Sequence, residues 1–184
     1  MSSELRTDIL ILGAGGAGMM AALHACWREP GLDLTLVAKG LLGKSGCTRM
    51  VQGGYNVALD PKDSVQAHFE DTIKGGAYLS DQDLAWALVE DAPRIVRELE
   101  NRIGCLFDRA PDGRIHQKAF AGQSFDRTVH VGDLTGIEIM ARLRDQVFNT
   151  QTRCLQYTRG IELLQGPDGQ VTGALLLDIQ SGQF

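Results

Sequence analysis

At 184 residues the chain is long enough for one domain with its own core, or for the leading part of a larger one, and 43% hydrophobic with 22% charged residues is ordinary for a soluble globular protein. A net charge of −5 with no cluster of Lys and Arg excludes a broad nucleic-acid surface. No apolar run approaches the roughly 20 residues of a direct membrane span, and the N-terminus lacks the basic-then-apolar form of a signal peptide, so the expected location is cytoplasmic.

The first predicted element is a strand, Asp8-Ile9-Leu10-Ile11-Leu12, running straight into Gly13-Ala14-Gly15-Gly16-Ala17-Gly18 and then a helix over 19–27. Gly13, Gly15 and Gly18 fit the G-x-G-x-x-G spacing, which allows a tight turn, close approach of a pyrophosphate to backbone, and close packing of helix on strand. Free N–H groups at the helix start then bind the anion. A small-residue turn can serve packing alone, but strand, turn and helix in this order favour a dinucleotide.

After the break at Pro30-Gly31 a second strand over 32–37 completes a strand-helix-strand unit, which predicts a parallel pair with a right-handed crossover. NAD-binding units place a carboxylate at the end of this strand, where this chain has Ala38 and Lys39. Glu29 and Asp33 lie before it, which argues against plain NAD.

Residues 40–54 form a glycine-rich loop too irregular for a helix, of the kind that wraps backbone around a ligand. A helix follows over 64–74, with His68 read as a surface or packing residue. Ser80 is the expected N-cap of the next helix through Leu84, Leu88 and Val89, with Trp86 in the core and a kink or fresh start at Pro93. Ile95, Val96, Leu99 and Ile103 continue one apolar face up to Gly104. A further helix over 135–148 carries a Thr135/Glu138 capping box and the stripe Met140, Leu143, Val147. Short strands then follow at 153–158, 161–164 and 171–179, the last two antiparallel around Gly166-Pro167-Asp168-Gly169. Cys26, Cys47, Cys105 and Cys154 show no metal-ligand spacing; reduced thiols and no metal site are expected, with Cys26 and Cys105 as small core residues. The fold class is α/β: a Rossmann-like domain with a parallel sheet plus a C-terminal antiparallel β-meander.

Several blocks together resemble a family. They are the 13–18 turn, Val37-Ala38-Lys39, Ser45-Gly46-Cys47-Thr48-Arg49-Met50-Val51-Gln52-Gly53-Gly54, Asp71-Thr72-Ile73-Lys74-Gly75 with Leu79-Ser80-Asp81, Asp112-Gly113-Arg114-Ile115-His116-Gln117 with Phe120-Ala121-Gly122-Gln123-Ser124, and Arg127-Thr128 leading to Asp133-Leu134-Thr135-Gly136. In this order they resemble the N-terminal part of the flavoprotein subunit of the succinate dehydrogenase and fumarate reductase family, which includes L-aspartate oxidase relatives.

The resemblance implies FAD. Gly13, Ala14, Gly15, Gly16, Ala17 and Gly18 would hold the pyrophosphate, Ala38 backbone and Lys39 the adenine ribose, and Ser45, Gly46, Cys47, Thr48, Gln52, Gly53 and Gly54 the flavin. Glycines at 53 and 54 would let backbone pass close to a flat ring. Cys47 occupies the position of a flavin-linked histidine in many membrane-bound relatives; noncovalent FAD is expected, with a thioether as the alternative. Phe120 and Gln123 are the substrate-proximal candidates, against readings as a core aromatic and a loop amide. Arg127, His116 and His130 match no catalytic position of the family.

Hydride transfer between flavin and a C4 dicarboxylate is the implied activity, with an iron-sulfur electron-transfer subunit as a partner and peripheral membrane attachment through partner subunits. The alternatives are an aspartate-type amino-acid oxidase and a catalytically inert FAD-binding fragment. The family's proton-donating arginine and its substrate-binding His, Thr, Glu and second Arg find no match within 1–184. Residues 1–184 are therefore expected to be the N-terminal portion of the FAD-binding domain, without the capping and helical domains, either as a fragment of a longer enzyme or as a split subunit completed by another chain.

Overall fold

The structure, a computed structural model, describes residues 4–184. In chain order the elements are β1 (Ile9–Leu12), α1 (Gly16–Arg28), β2 (Leu34–Val37), a 3-10 turn (Cys47–Met50), β3 (Tyr55–Asn56), α2 (Val65–Gly75), α3 (Gln82–Glu98), a π turn (Leu99–Ile103), β4 (Gln117–Lys118), β5 (Thr128–Val129), α4 (Thr135–Phe148), β6 (Arg153–Leu155), β7 (Thr158–Gln165) and β8 (Val171–Asp178). They divide between two compact units, one of residues up to 50 with 140–184 and one of residues 51–139. No described helix is long and apolar enough to cross a membrane.

The first unit is built on the predicted strand-helix-strand element. β1 and β2 pair in parallel from Ile9↔Leu34 to Leu12↔Val37. β2 is buried throughout, as a strand with a neighbour on each edge must be. Met19, Ala22 and Leu23 of α1 and Met140, Leu143 and Val147 of α4 are buried at helical spacing. β6 departs from the expected meander: it joins the parallel sheet beside β2, Thr35↔Arg153 to Val37↔Leu155, so of the last three strands only β7 and β8 pair antiparallel. Tyr157, at φ 52, turns the chain between β6 and β7. The 166–169 turn closes that hairpin as predicted, with Gly169 at φ +77 and its N–H donating to Gly166 O at 3.0 Å.

The second unit has a small antiparallel sheet in the order β3-β5-β4 and the α2–α3 pair. Ser64 caps α2 by accepting Ala67 N–H at 3.0 Å. Asp81, rather than Ser80, caps α3 by accepting Leu84 N–H at 3.0 Å; the carboxylate also favours the positive end of the helix. α3 runs unbroken through Pro93, because the buried face Ala85, Val89, Ala92, Val96 continues across it and outweighs one lost backbone bond. Trp86 stands one residue off that face, 38% exposed, and meets Phe69 edge-on at 5.4 Å, so it is not a core residue. Leu84 and Leu88 lie outside the face and are exposed. Gly104 ends the following π turn in the left-handed region, at φ +89, as expected. Thr135 and Glu138, expected as a capping box, tie other segments: Thr135 Oγ1 accepts Val131 N–H and donates to Gln52 O, Glu138 Oε1 accepts Leu106 N–H, and the Glu138 N–H donates to Leu134 O.

Candidate functional site

In the first unit the chain leaves β1 at Gly13, whose φ of +119 makes the turn and whose N–H donates to Val37 O at 2.9 Å. A Cβ at Gly18 would overlap the Gly13 carbonyl oxygen and lie 3.0 Å from its carbon, so only glycine lets α1 approach the turn this closely. Gly15 is the N-cap and has no side chain to cap the helix, and the first turn of α1 carries no acid. The positive end of the helix therefore presents backbone donors to an anion without a competing carboxylate. These features fit a pyrophosphate.

Thr48 reaches this helix end from the 3-10 turn, its Oγ1 accepting Gly16 N–H at 3.2 Å. That turn is the ordered part of a loop read from sequence as irregular. Leu42 N–H donates to Gln156 Oε1 at 2.8 Å and Arg49 Nη1 to Gly43 O at 3.5 Å, which anchors the loop on either side of exposed Ser45, Gly46 and Cys47. Replacing Thr48 with Val should remove one hydrogen bond and weaken FAD binding about fivefold, the equivalent of about 1 kcal/mol, as read by flavin-fluorescence titration.

At the end of β2, the Ala38 N–H donates to Leu155 O at 2.8 Å and its carbonyl accepts Thr158 N–H at 2.9 Å. The Ala38 donor is thus committed to the sheet. Lys39 is exposed immediately beyond it, leaving its side chain as the better candidate for the ribose.

In the second unit Gln52 is exposed, and Gly53 and Gly54 lead into β3. A Cβ at Gly54, where φ is +122, would overlap Val129 O and lie 2.7 Å from the Thr128 methyl; one at Gly53 would lie 3.0 Å from the Phe120 ring. The need for glycine is therefore already met inside this unit, by β5 and Phe120, rather than by a flat ring alone. Phe120 is 57% exposed, so it is not a core aromatic. Gln123 donates through Nε2 to Asn56 Oδ1 at 2.6 Å and to Thr128 Oγ1 at 3.0 Å, and its Oε1 accepts Arg127 N–H at 3.4 Å. Its amide is engaged in holding the loop, which leaves Phe120 the stronger substrate-side candidate.

Arg127 is fully buried and paired with Asp63 and Asp71, as befits a residue matching no catalytic position. Asp63 carries no sequence signal because its partner is 64 residues away. His68 is buried as a packing histidine, and burial followed by the Arg127 charge lowers its pKa against Asp63 and Asp71.

Residues 8–183 match the FAD binding domain family. The chain belongs to this family. Its cofactor is FAD, in agreement with the glycine turn. The domain is 44% identical over 98% of its length to an uncharacterized FAD-dependent oxidoreductase of Methanocaldococcus jannaschii, covering 32% of that protein. It is 42% identical over its whole length to a subunit of the fumarate reductase (CoM/CoB) of Methanothermobacter marburgensis, covering 34% of it. Among solved structures, Escherichia coli quinol fumarate reductase superposes with a TM-score of 0.89 at 30% identity, over 97% of this domain and 30% of that chain. The Mycobacterium smegmatis Sdh1 complex gives 0.84 at 37% identity, over 93% of this domain and 31% of that chain. The FAD-binding domain thus spans about a third of the length of the curated relatives it matches.

Proposed function

We propose that the chain supplies the FAD-binding part of an oxidoreductase of the fumarate reductase and succinate dehydrogenase type, acting on a C4 dicarboxylate. The observation that carries this is the Gly13–Gly18 contact with its acid-free helix start, in a chain matching a fumarate reductase subunit along its whole length. When bound, FAD supplies hydride transfer. The backbone of Gly13, Ala14, Gly15, Gly16, Ala17 and Gly18 holds the pyrophosphate. Ala38 and Lys39 face the adenosine, and Ser45, Gly46, Cys47, Thr48, Gln52, Gly53 and Gly54 are the flavin-side positions. Phe120 excludes water beside the substrate. An iron-sulfur subunit is the proposed partner, at the cytoplasmic face of a membrane.

The test is fumarate-dependent reoxidation of a reduced dye by the native protein with any copurifying chain. Turnover supports the proposal. Hydrogen peroxide release with aspartate would instead support the amino-acid oxidase, which the fumarate reductase and succinate dehydrogenase relatives do not favour. Bound FAD without either activity would indicate an inert FAD-binding fragment.

Noncovalent attachment at Cys47 has its own check. Acid precipitation should leave the yellow colour in the supernatant, and Cys47→Ser should retain FAD. Flavin in the pellet, lost in Cys47→Ser, would establish a thioether.

A further inference from the structure

Two histidines that the flavin site leaves unused face one another across the second unit's sheet. His116 precedes β4 and His130 follows β5, and the register Gln117↔Val129, Lys118↔Thr128 extends to bring 116 opposite 130. Their rings meet edge to face, with His116 Nδ1 2.7 Å from His130 Nε2. One proton fits between two nitrogens at that distance, and two N–H groups pointing at each other do not.

Asp108 completes the group. Its N–H donates to His130 O at 2.9 Å, its carbonyl accepts His116 N–H at 2.7 Å, and its Oδ2 accepts Gly132 N–H at 2.9 Å. The same Oδ2 lies 3.0 Å from His130 Nδ1 but out of line for a hydrogen bond, so that contact becomes an ion pair only when His130 is protonated. Together these residues close the open end of the β4–β5 hairpin, whose loop, 119–127, carries Phe120 and Gln123.

We propose that His116 and His130 are positioning residues: with one proton shared between His116 Nδ1 and His130 Nε2 they hold the hairpin that presents Phe120 and Gln123, and a proton on both of these facing nitrogens releases it. The proposal rests on reading 119–127 as the substrate-side loop. The charges acting on His130 are Lys118 on β4, Asp108, and Asp133 after β5, while His116 shares a cavity with Arg97, Glu100, Arg109, Arg114 and Asp126. Burial lowers the His130 pKa, Lys118 and His116 add to this, and Asp108 and Asp133 oppose it. A histidine held below its ordinary value contributes stability that is present above about pH 6.5 and lost as pH falls through the depressed value.

Hydrogen exchange of residues 117–130 in the FAD-loaded native protein, corrected for intrinsic rates, tests this between about pH 7.5 and about pH 5. Protection should fall about tenfold in the wild type and less than about twofold in His116→Gln, which keeps a donor but does not take up a proton. Asp108→Asn, lacking the charge that favours protonation, should move the loss to lower pH. Equal losses in wild type and His116→Gln, no loss in wild type, or an unmoved midpoint in Asp108→Asn overturns the proposal. Saturating fumarate should restore protection of 119–127 in wild type at the lower pH. If it does not while the pH effect stands, the substrate-side reading fails and the histidine latch remains.

Discussion

Replacing Gly18 with Ala is expected to weaken FAD binding by roughly 100-fold while the chain remains folded. The new methyl would fall on the carbonyl of Gly13 and stand 3.4 Å from the Ile11 side chain, and the colliding atom is backbone, which cannot rotate away. Either α1 withdraws from the turn or the turn is pushed out, and both re-aim the amides at the helix start. Overpacking of this kind costs about 1–3 kcal/mol, which at its upper end is about 100-fold in affinity. Gly16→Ala is the control, because a Cβ there meets only the Thr48 side chain, at 3.1 Å, which can yield by rotation. Its effect should stay under about tenfold. Flavin-fluorescence titration gives both affinities, and circular dichroism verifies the fold. If the two variants bind FAD equally, the close approach of helix and turn does not shape the site.

This difference between neighbouring glycines also marks what is legible in the chain. The β1-turn-α1-β2 element can be read because its signals are local: an apolar run, glycines at fixed spacing, a Pro-Gly break and a second apolar run within about 30 residues. The reason for glycine at Gly53 and Gly54 cannot, since the atoms that forbid a side chain belong to Phe120 and Val129, over 60 residues on. β6 has the same character: three residues carry too little pattern to announce a place beside β2 in a parallel sheet. At Pro93 the local rule, a missing N–H, points to a break, and only the buried stripe that carries α3 across it shows why none occurs. The histidine pair is visible in the sequence only as two separate residues, because the 2.7 Å contact depends on strand register.

Arg127→Met is expected to cost about 3–5 kcal/mol of stability and to reverse the acid branch of the stability profile. Arg127 donates through Nε and Nη2 to both oxygens of Asp63, at 2.9 and 2.8 Å, and through Nη1 to Asp71 Oδ2 at 2.5 Å. Asp71 also accepts the Ser124 N–H and hydroxyl, at 2.7 and 2.8 Å, so the cluster ties the 119–127 loop to α2. Burial opposes ionisation of Asp71, but Ser124 and Arg127 outweigh it and hold its pKa below the ordinary value. In the wild type this contribution is therefore present above about pH 4 and is lost as pH falls through the depressed value. With methionine at 127, two carboxylates are left in the interior without their cation. A buried carboxylate without a partner is costly only while it is ionised, so the variant should gain stability on acidification from about pH 7 to about pH 5. Urea unfolding at the two pH values measures the difference, and adding Asp63→Asn should recover about half of the loss by removing one unpaired charge. His68 supplies an independent reading, because its buried Nδ1 has no hydrogen-bond partner and the Arg127 charge is one of the causes lowering its pKa. Without that charge, and with Asp63 and Asp71 still nearby, the His68 pKa should rise, visible as a shifted imidazole titration by NMR. An unshifted titration, with stability still falling toward acid, would show that Arg127 is not what neutralises these carboxylates.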